Sequence, residues 1–562
     1  MCVNLPTMNA DKPASVIYDV CVVGAGPAGI IFALDYARLN QHHKILLVEY
    51  GGKNAPATNS LDESIKIVYP EYHHSPYECT NKGLGGTSAT WGGRCVMWDE
   101  VDFIDRPLLN GGCTWNIDIF NEIQSYLPAT ADWFECGRPV FNLNNFSGVR
   151  KKRIAEHFTE GVVTDSALER WSMPTRFGER YAKDIADSLN ITLLEGFEAR
   201  DFSKPDAEGK VRFLTLREAR SKAIFSIEAG CFVIAAGGQE STRILLRNTQ
   251  LFSNLPAVPS ALGKYYQGHL SGKIASVKFN GKPFNTDYGF IKDEDGSYAR
   301  RRFQFSTDYL VSNNQLNMAL WLDNPLYHNP GHKNGAMSFM YLAMITPVLG
   351  KKLAPPAIAH SITKGKKHSI ARHILNVVKG LPVSLTVPAE IFIKRYLPRR
   401  KLPGVFLYNS QNYYALHFHS EQIPDENNCM KLAEDGETLI IKYAPAQGDV
   451  DSVIKLHDVL DAWLQQCGCG KLEYWYPREK LAEAIMRMSK DGVHQSGTTR
   501  IADTPEAGVV NRNLGLWGCK NVFVCSSAVF PTSGQANPTF LLGAFALRLS
   551  KYLTETMPHK MN

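Results

Sequence analysis

The sequence predicts an α/β chain in which a doubly wound parallel sheet is interleaved with an α+β domain built on a mixed or antiparallel sheet. Three observations predict it. Residues 20–23 form a short apolar, β-branched run that enters a glycine-punctuated turn and then an apolar stretch of helical length. Residues 231–236 repeat the pattern and end in Gly237-Gly238. Residues 521–547 carry no charged side chain and read as strand, loop and helix. Units of this kind, spread from end to end, form one sheet only if a second domain is threaded between them.

The first unit is the most specific. Residues 20–23 suit a parallel strand buried on both faces. In Gly24-Ala25-Gly26-Pro27-Ala28-Gly29, Gly24 permits the tight turn and Gly26 lets the backbone approach a pyrophosphate. Gly29 lets the next helix, 30–39, pack closely, with its first amides facing the phosphates. Residues 45–48 are the second strand, and Glu49 at its end accepts from a ribose hydroxyl while repelling a 2′-phosphate. Strand, glycines, helix, strand and acid in this order specify a dinucleotide cradle, without choosing between FAD and NAD.

Residues 82–94 hold five glycines in thirteen positions, which suits a backbone pressed against a flat ring system. Candidate contacts there are Gly85, Gly86, Thr87, Ser88, Trp91, Gly92 and Gly93. Residues 231–236 form another buried strand, followed by a helix that opens at 239–242 and runs to 247. In 521–547, Pro531, Ser533, Gly534, Gln535, Asn537 and Pro538 cluster in a way that a lipid-facing helix does not tolerate. The stretch therefore reads as a strand at 522–525, a loop, and a helix from 538 to about 552. Between 265 and 320 apolar and polar residues alternate, as in 272–279, which predicts strands with one buried face. Residues 417–422 are a further strand. His417 and His419 fall on one side of it at a spacing that can bind metal, but no third ligand presents itself, so no metal is expected.

Bulk properties are those of a globular protein: 562 residues, 44% hydrophobic and 21% charged, with no repeat or low-complexity run. Twelve cysteines are scattered without metal-ligand spacing, and Cys467-Gly468-Cys469 is too tight for a redox CxxC, so free thiols are expected. The first seventeen residues show no apolar targeting core. The expected location is cytoplasmic, with peripheral contact to the inner membrane face as an alternative. Net charge is +6, yet residues 351–401 hold twelve Lys/Arg against one acid, Glu390. Apolar residues interleave with these cations. Three readings stand: a solvated surface excursion, a peripheral membrane anchor, or a dock for an acidic partner or polyanionic saccharide. The aromatic interleaving expected of a nucleic-acid site is missing.

The two ends of the chain and the region near 231–247 resemble the glucose–methanol–choline (GMC) oxidoreductases; residues 270–490 match loosely. Gly85-Gly86-Thr87-Ser88 with Trp91, and the closing Phe530-Pro531-Thr532-Ser533-Gly534-Gln535-Ala536-Asn537-Pro538-Thr539, look closest to the pyranose-oxidase-like branch, which acts on sugars and glycosides. The resemblance implies a Rossmann-like FAD-binding domain assembled from 1–145, 191–265 and 491–562. The substrate domain then comes from 146–190 and 266–490 and carries the basic insert 351–401. It adds Ala236, Gly237, Ser526, Pro538 and Thr539 to the FAD contacts. Two departures matter. Thr90 stands where covalent-flavin members carry a histidine, so a dissociable FAD is expected. Ser526 stands where many members carry an aspartate near the pyrophosphate.

By the same resemblance His494 matches the family's catalytic base and Asn537 the position filled by histidine or asparagine. Alcohol oxidation removes a hydroxyl proton and sends a hydride from carbon to flavin N5. Histidine is suited to the first task because its reference pKa, about 6.5, lies near working pH. The amide holds the same oxygen. Gln495 and Gln535 are candidates for supporting hydrogen bonds. Glu421, Gln422 and Gln535 are candidate substrate ligands, against the alternative of packing, and Trp91, Tyr413 and Tyr414 either stack on a sugar or fill the core. The expected function is FAD-dependent oxidation of a CH–OH group, of a sugar or glycoside, with dioxygen, a quinone or a protein as acceptor. Non-redox lyase-type chemistry on the same fold, or a non-sugar alcohol, is the alternative.

Overall fold

The computed structural model describes residues 16–52, 64–146, 153–173, 175–283, 288–346, 369–404, 406–408 and 410–557. Residues 351–368 of the basic segment lie outside them, as do residues 1–15.

The predicted parallel sheet is present. Strand Ile17–Val23 lies between Ile45–Glu49 and Ile224–Ile234, parallel to both. Ile191–Glu195 extends the sheet beyond Ile45–Glu49, and Val522–Val524 extends it beyond Ile224–Ile234, again in parallel. Val20, Cys21 and Val22 are fully buried, which explains why this strand is a continuous apolar run rather than an alternating one. Strands Phe197–Phe202 and Phe213–Glu218 add an antiparallel meander to the edge of Ile224–Ile234.

Helix Pro27–Leu39 packs along helix Pro538–Thr556. Ile30, Ile31 and Phe32 on the first, and Leu541, Ala544 and Phe545 on the second, are buried. Each large apolar side chain buried this way contributes about 1.5–3 kcal/mol. The buried Asp35 in this seam is satisfied by the Ser550 hydroxyl at 2.7 Å. The uncharged 521–547 stretch is therefore core between the sheet and this helix pair.

The second sheet has eight strands, and every pair in it is antiparallel. Leu270–Phe279 sits between Tyr413–Ser420 and Gly470–Tyr474. Helices Gln447–Gln466 and Leu481–Met488 back the sheet, burying Leu456, Leu460, Leu464 and Ile485 against it. Phe418 points to that side, where it meets His457 edge-on. His417 and His419, one residue away on either side, point to the opposite face.

Two details differ from the sequence reading. The strand predicted at 417–422 runs Tyr413–Ser420, so Glu421 and Gln422 lie beyond its end. The exchange between domains is also finer than the sequence ranges suggested. Arg94–Cys95, inside the 1–145 span, pairs with Val163–Trp171 of the antiparallel sheet, and helix Phe177–Asp187, inside 146–190, packs against Pro27–Leu39 and Ile191–Glu195.

Candidate active site

The glycine-rich turn has the geometry its sequence implied. Gly24 adopts φ +103°, and a Cβ there would lie 2.5 Å from the Ala235 carbonyl oxygen of the neighbouring strand. A Cβ on Gly29 would lie 1.9 Å from the Gly24 oxygen, so the helix approaches the turn as closely as backbone allows. Gly26 is different: it is extended (φ −76°, ψ −177°), and a Cβ there meets nothing within 4 Å. The same holds for Gly237, at φ +75° on the first turn of helix Gly237–Arg247. Both face open space at the N-terminal end of a helix, where amides and dipole favour phosphate.

The 82–94 loop lies over this turn. Gly85 N–H donates to the Ala25 oxygen at 2.7 Å, and a Cβ on Gly86 would come within 3.1 Å of Gly26 Cα. Glu49 joins the pieces: its carboxylate accepts from the N–H groups of Ala25, Gly51 and Gly83, each at 2.9 Å. Oε2 takes one of these bonds, so it keeps a lone pair for a hydroxyl donor. Thr87, Thr90 and Gly92 are exposed in the loop. Thr90 accepts from the Asn81 amide at 2.6 Å. Ser88 and Trp91 have structural duties instead. The Ser88 hydroxyl donates to the Gly85 oxygen and accepts from Phe177 N–H. Trp91 donates to the Thr175 oxygen and packs edge-on against Phe134 and Phe177.

The residues fit a dinucleotide cofactor on two structural grounds. Gly26 and Gly237 leave side-chain space open at two helix starts. Ser526 Oγ and Asn537 Oδ1 are buried with no hydrogen-bond partner, and a buried polar atom normally has one. Asn537 also N-caps helix Pro538–Thr556, so Pro538 and Thr539 sit on the first turn of a third helix.

His494 and Asn537, 43 residues apart, are in contact: Asn537 Nδ2 lies 2.6 Å from His494 Nε2. The other ring nitrogen, Nδ1, is 3.1 Å from Asp491 Oδ2. A carboxylate only accepts, so Nδ1 carries the proton and Nε2 holds the lone pair that the Asn537 amide donates to. Asp491 is fixed in turn. Oδ1 accepts from the N–H groups of Gly492, Val493 and His494 at 2.7, 2.9 and 3.3 Å, and Oδ2 accepts from His269 N–H at 2.7 Å. Burial works to raise the Asp491 pKa, but the His494 imidazole and hydrogen bonds from His269 and His494 hold it well below the usual carboxylate range. It is therefore ionised at neutral pH. Gln495 anchors the same loop, accepting from Gln239 N–H at 3.0 Å and donating to the Gly492 oxygen at 2.8 Å.

Two further imidazoles wall the site. His269 and His419 stack with centroids 4.1 Å apart, and both meet His494 edge-on at 4.7 and 5.3 Å. Burial pushes His269 down to about 4 and His419 well below its ordinary value, so both are neutral. One nitrogen of each of the three rings lies within 4.8 Å of the others, a cluster invisible to linear spacing. The arrangement does not suit a cation. Ring lone pairs lie in the ring plane, and the stacked His269 and His419 planes, only 27° from parallel, do not converge on one ion. Backbone carbonyls fix both stacked rings: His269 Nε2 lies 3.2 Å from the Ser533 oxygen and His419 Nδ1 2.7 Å from the Gln535 oxygen.

The candidate substrate ligands are spent internally. Glu421 makes a fully buried ion pair with Arg106 at 2.8 Å and accepts from Asn317 N–H. Gln422 accepts from Gly268 N–H at 2.9 Å. Gln535 accepts from Arg302 and donates to Asp99. Those bonds give all three a structural role. Tyr414 is fully buried core, while Tyr413 is half-buried at the strand start. The sequence reading missed Asp491, whose signal was an acid three residues before the histidine. It also missed His269, 225 residues away, which had no local signal.

Comparison with known proteins finds similarity to one enzyme family over part of the chain and a shared fold over nearly all of it. Residues 460–546 match a family model described as GMC oxidoreductase. The chain is 36% identical over 156 residues to a 2-methyl-1,2-propanediol dehydrogenase of Mycolicibacterium austroafricanum, covering 25% of each chain. It is 27% identical over 133 residues to paromamine 6′-oxidase of Streptomyces fradiae, covering 23% of each. These matches span about a quarter of the relatives' own length. Among solved structures, a fungal aryl-alcohol oxidase superposes over 96% of this chain and 99% of its own, with a TM-score of 0.51 at 13% identity. A formate oxidase of Aspergillus oryzae covers 97% and 99%, with a TM-score of 0.50 at 12% identity. These two carry the fold.

Proposed function

We propose that this chain, which resembles the GMC oxidoreductases over residues 460–546, is an FAD-dependent member of that family that oxidises the CH–OH group of a small alcohol, of the carbohydrate class. The observation that carries the reading is the Asp491–His494–Asn537 line: an ionised carboxylate on Nδ1, an unprotonated Nε2, and an amide 2.6 Å beyond it. FAD held in the cradle would supply the acceptor for the carbon-bound hydrogen and its electron pair.

This chain's own residues manage the proton. A substrate hydroxyl entering between His494 and Asn537 gives its proton to Nε2, while Asn537 Nδ2 donates to the same oxygen. The 2.6 Å contact opens to admit it. Asp491 steadies the imidazolium that results, and the neutral faces of His269 and His419 leave it unopposed by another cation. General-base help of this kind is worth about 10²–10⁴-fold. A carbohydrate is supported by the relative named for paromamine oxidation and by the 530–539 segment. Thr90, exposed and carrying only a hydroxyl, supports a dissociable FAD.

The test is anaerobic addition of sugars, glycosides and simple diols to the purified yellow protein. Bleaching of the flavin by a sugar supports the reading, bleaching by simple diols alone corrects the substrate class, and a flavin that stays oxidised with turnover points to lyase-type chemistry.

A further inference from the structure

The described part of the basic segment forms two helices, Ile370–Lys379 and Val383–Tyr396, bent by 92° at a short break. Both pack on helix Gly335–Met344; the second turns Val387 and Ile391 onto the Ala336–Met337 cluster, while the packing of the first is inverted. His373 is fully buried, bonded to Ser338 Oγ at 3.0 Å and to the His328 oxygen at 3.2 Å. Asn376 donates to the Pro330 oxygen at 2.9 Å, and Ser384 is buried too. The polar side of the first helix thus faces the protein. Ile370, Ile374 and Val378, four residues apart on one stripe, are 54, 51 and 59% exposed. Val383, Leu385 and Ile393 are likewise about half exposed on the second helix.

Scattered exposed apolar residues need no explanation, but a contiguous patch does. Ten of the 22 large apolar residues exposed among the described residues fall within 370–397, so this is a patch. Arg372, Lys379, Lys394, Arg399 and Lys401 are exposed around it, with Glu390 the one acid. Glu390 is itself paired with Lys394 at 2.5 Å. A greasy face rimmed by cations matches the boundary between acyl chains and anionic headgroups.

We propose that this bent helix pair is a membrane anchor that lies in the interface of an anionic bilayer without crossing it. Length supports lying over spanning. At 1.5 Å per residue the two helices reach about 15 and 21 Å, against about 30 Å of hydrocarbon. Among the described residues no single helix is long and apolar enough to cross a membrane; the two helices pass that test only when taken together, and the 92° bend between them keeps them from forming one straight span.

The experiment sediments the purified full-length protein with vesicles of phosphatidylcholine alone or mixed with phosphatidylserine, and needs no enzyme activity. The expected result is partition onto the phosphatidylserine vesicles, weakened about tenfold or more by high salt or by omitting the anionic lipid. The double variant Ile374→Ser/Val378→Ser and the charge-reversed Lys379→Glu/Lys394→Glu should each lose about tenfold or more. Both change exposed positions, so the melting temperature should not move. No sedimentation with phosphatidylserine vesicles overturns the proposal, as does binding indifferent to both variants. A dimer in light scattering that Ile374→Ser/Val378→Ser dissociates, without vesicle binding by the wild type, assigns the face to a second copy of the chain instead.

Discussion

Replacing Asp491 by asparagine isolates the claim that a carboxylate sets the His494 tautomer. Asp491 accepts five N–H bonds, three on Oδ1 and two on Oδ2, one of the latter from His494 Nδ1. An amide has a single accepting oxygen. If it serves the three loop amides, its NH₂ faces His494 Nδ1, which must then accept. The proton moves to Nε2, and the base is lost at the atom that faces Asn537. The charge-assisted bond alone is worth about 1.5–3 kcal/mol, or roughly 10–150-fold at about 1.4 kcal/mol per decade. The misplaced proton threatens the general-base contribution as well. Anaerobic stopped-flow reduction by a good substrate should therefore slow by about 100-fold or more. Flavin content and substrate affinity should change far less, while the melting temperature falls because the new NH₂ cannot accept from the buried His269 N–H, a loss of about 1–3 kcal/mol. A variant that reduces its flavin at the wild-type rate would refute the tautomer argument, whatever its stability.

Further outcomes follow from the same geometry. Gly26→Ala should fold with a near-normal melting temperature, since its Cβ enters open space, yet purify colourless; a fully yellow Gly26→Ala protein counts against the cradle. Gly29→Ala should do the opposite first. Its Cβ would meet the Gly24 oxygen at 1.9 Å, costing about 1–3 kcal/mol or more of stability, read by thermal melting. Burial pushes His269, His332 and His457 down to about 4 from about 6.5 unfolded. Their stabilisation is complete above about pH 6.5 and is lost as pH falls through about 4. Buried Asp449, pushed up to about 7, works the other way, being most favourable below its unfolded value near 4 and costing stability as pH rises through 7. These four groups together take up about 1.5 protons net on unfolding, or about 2 kcal/mol per pH unit between pH 6 and 4.5, and the lowered His73, His417 and His419 act in the same direction. Asp449→Asn should steepen that loss, and denaturant melts flat across the range would contradict it.

The amino-acid sequence by itself determined the nucleotide half. Its signals are local: Gly24, Gly26 and Gly29 act within one turn, Glu49 ends the next strand, and an uncharged stretch at 521–547 has to be core. His494 and Asn537 were singled out through family resemblance, because each sits in a short recognisable segment, and the fold brings the two into contact. Tertiary structure decided what surrounds them. His269 and His419 reach His494 only because the strand regions near 270 and 420 pair antiparallel, and nothing in either stretch announces the other. Glu421 and Gln535 looked available to a ligand until the fold set Arg106 and Arg302 beside them. The outward turn of Ile370, Ile374 and Val378 was likewise undecided, because an amphipathic pattern fixes which residues share a face and only the packed partner fixes which face is buried.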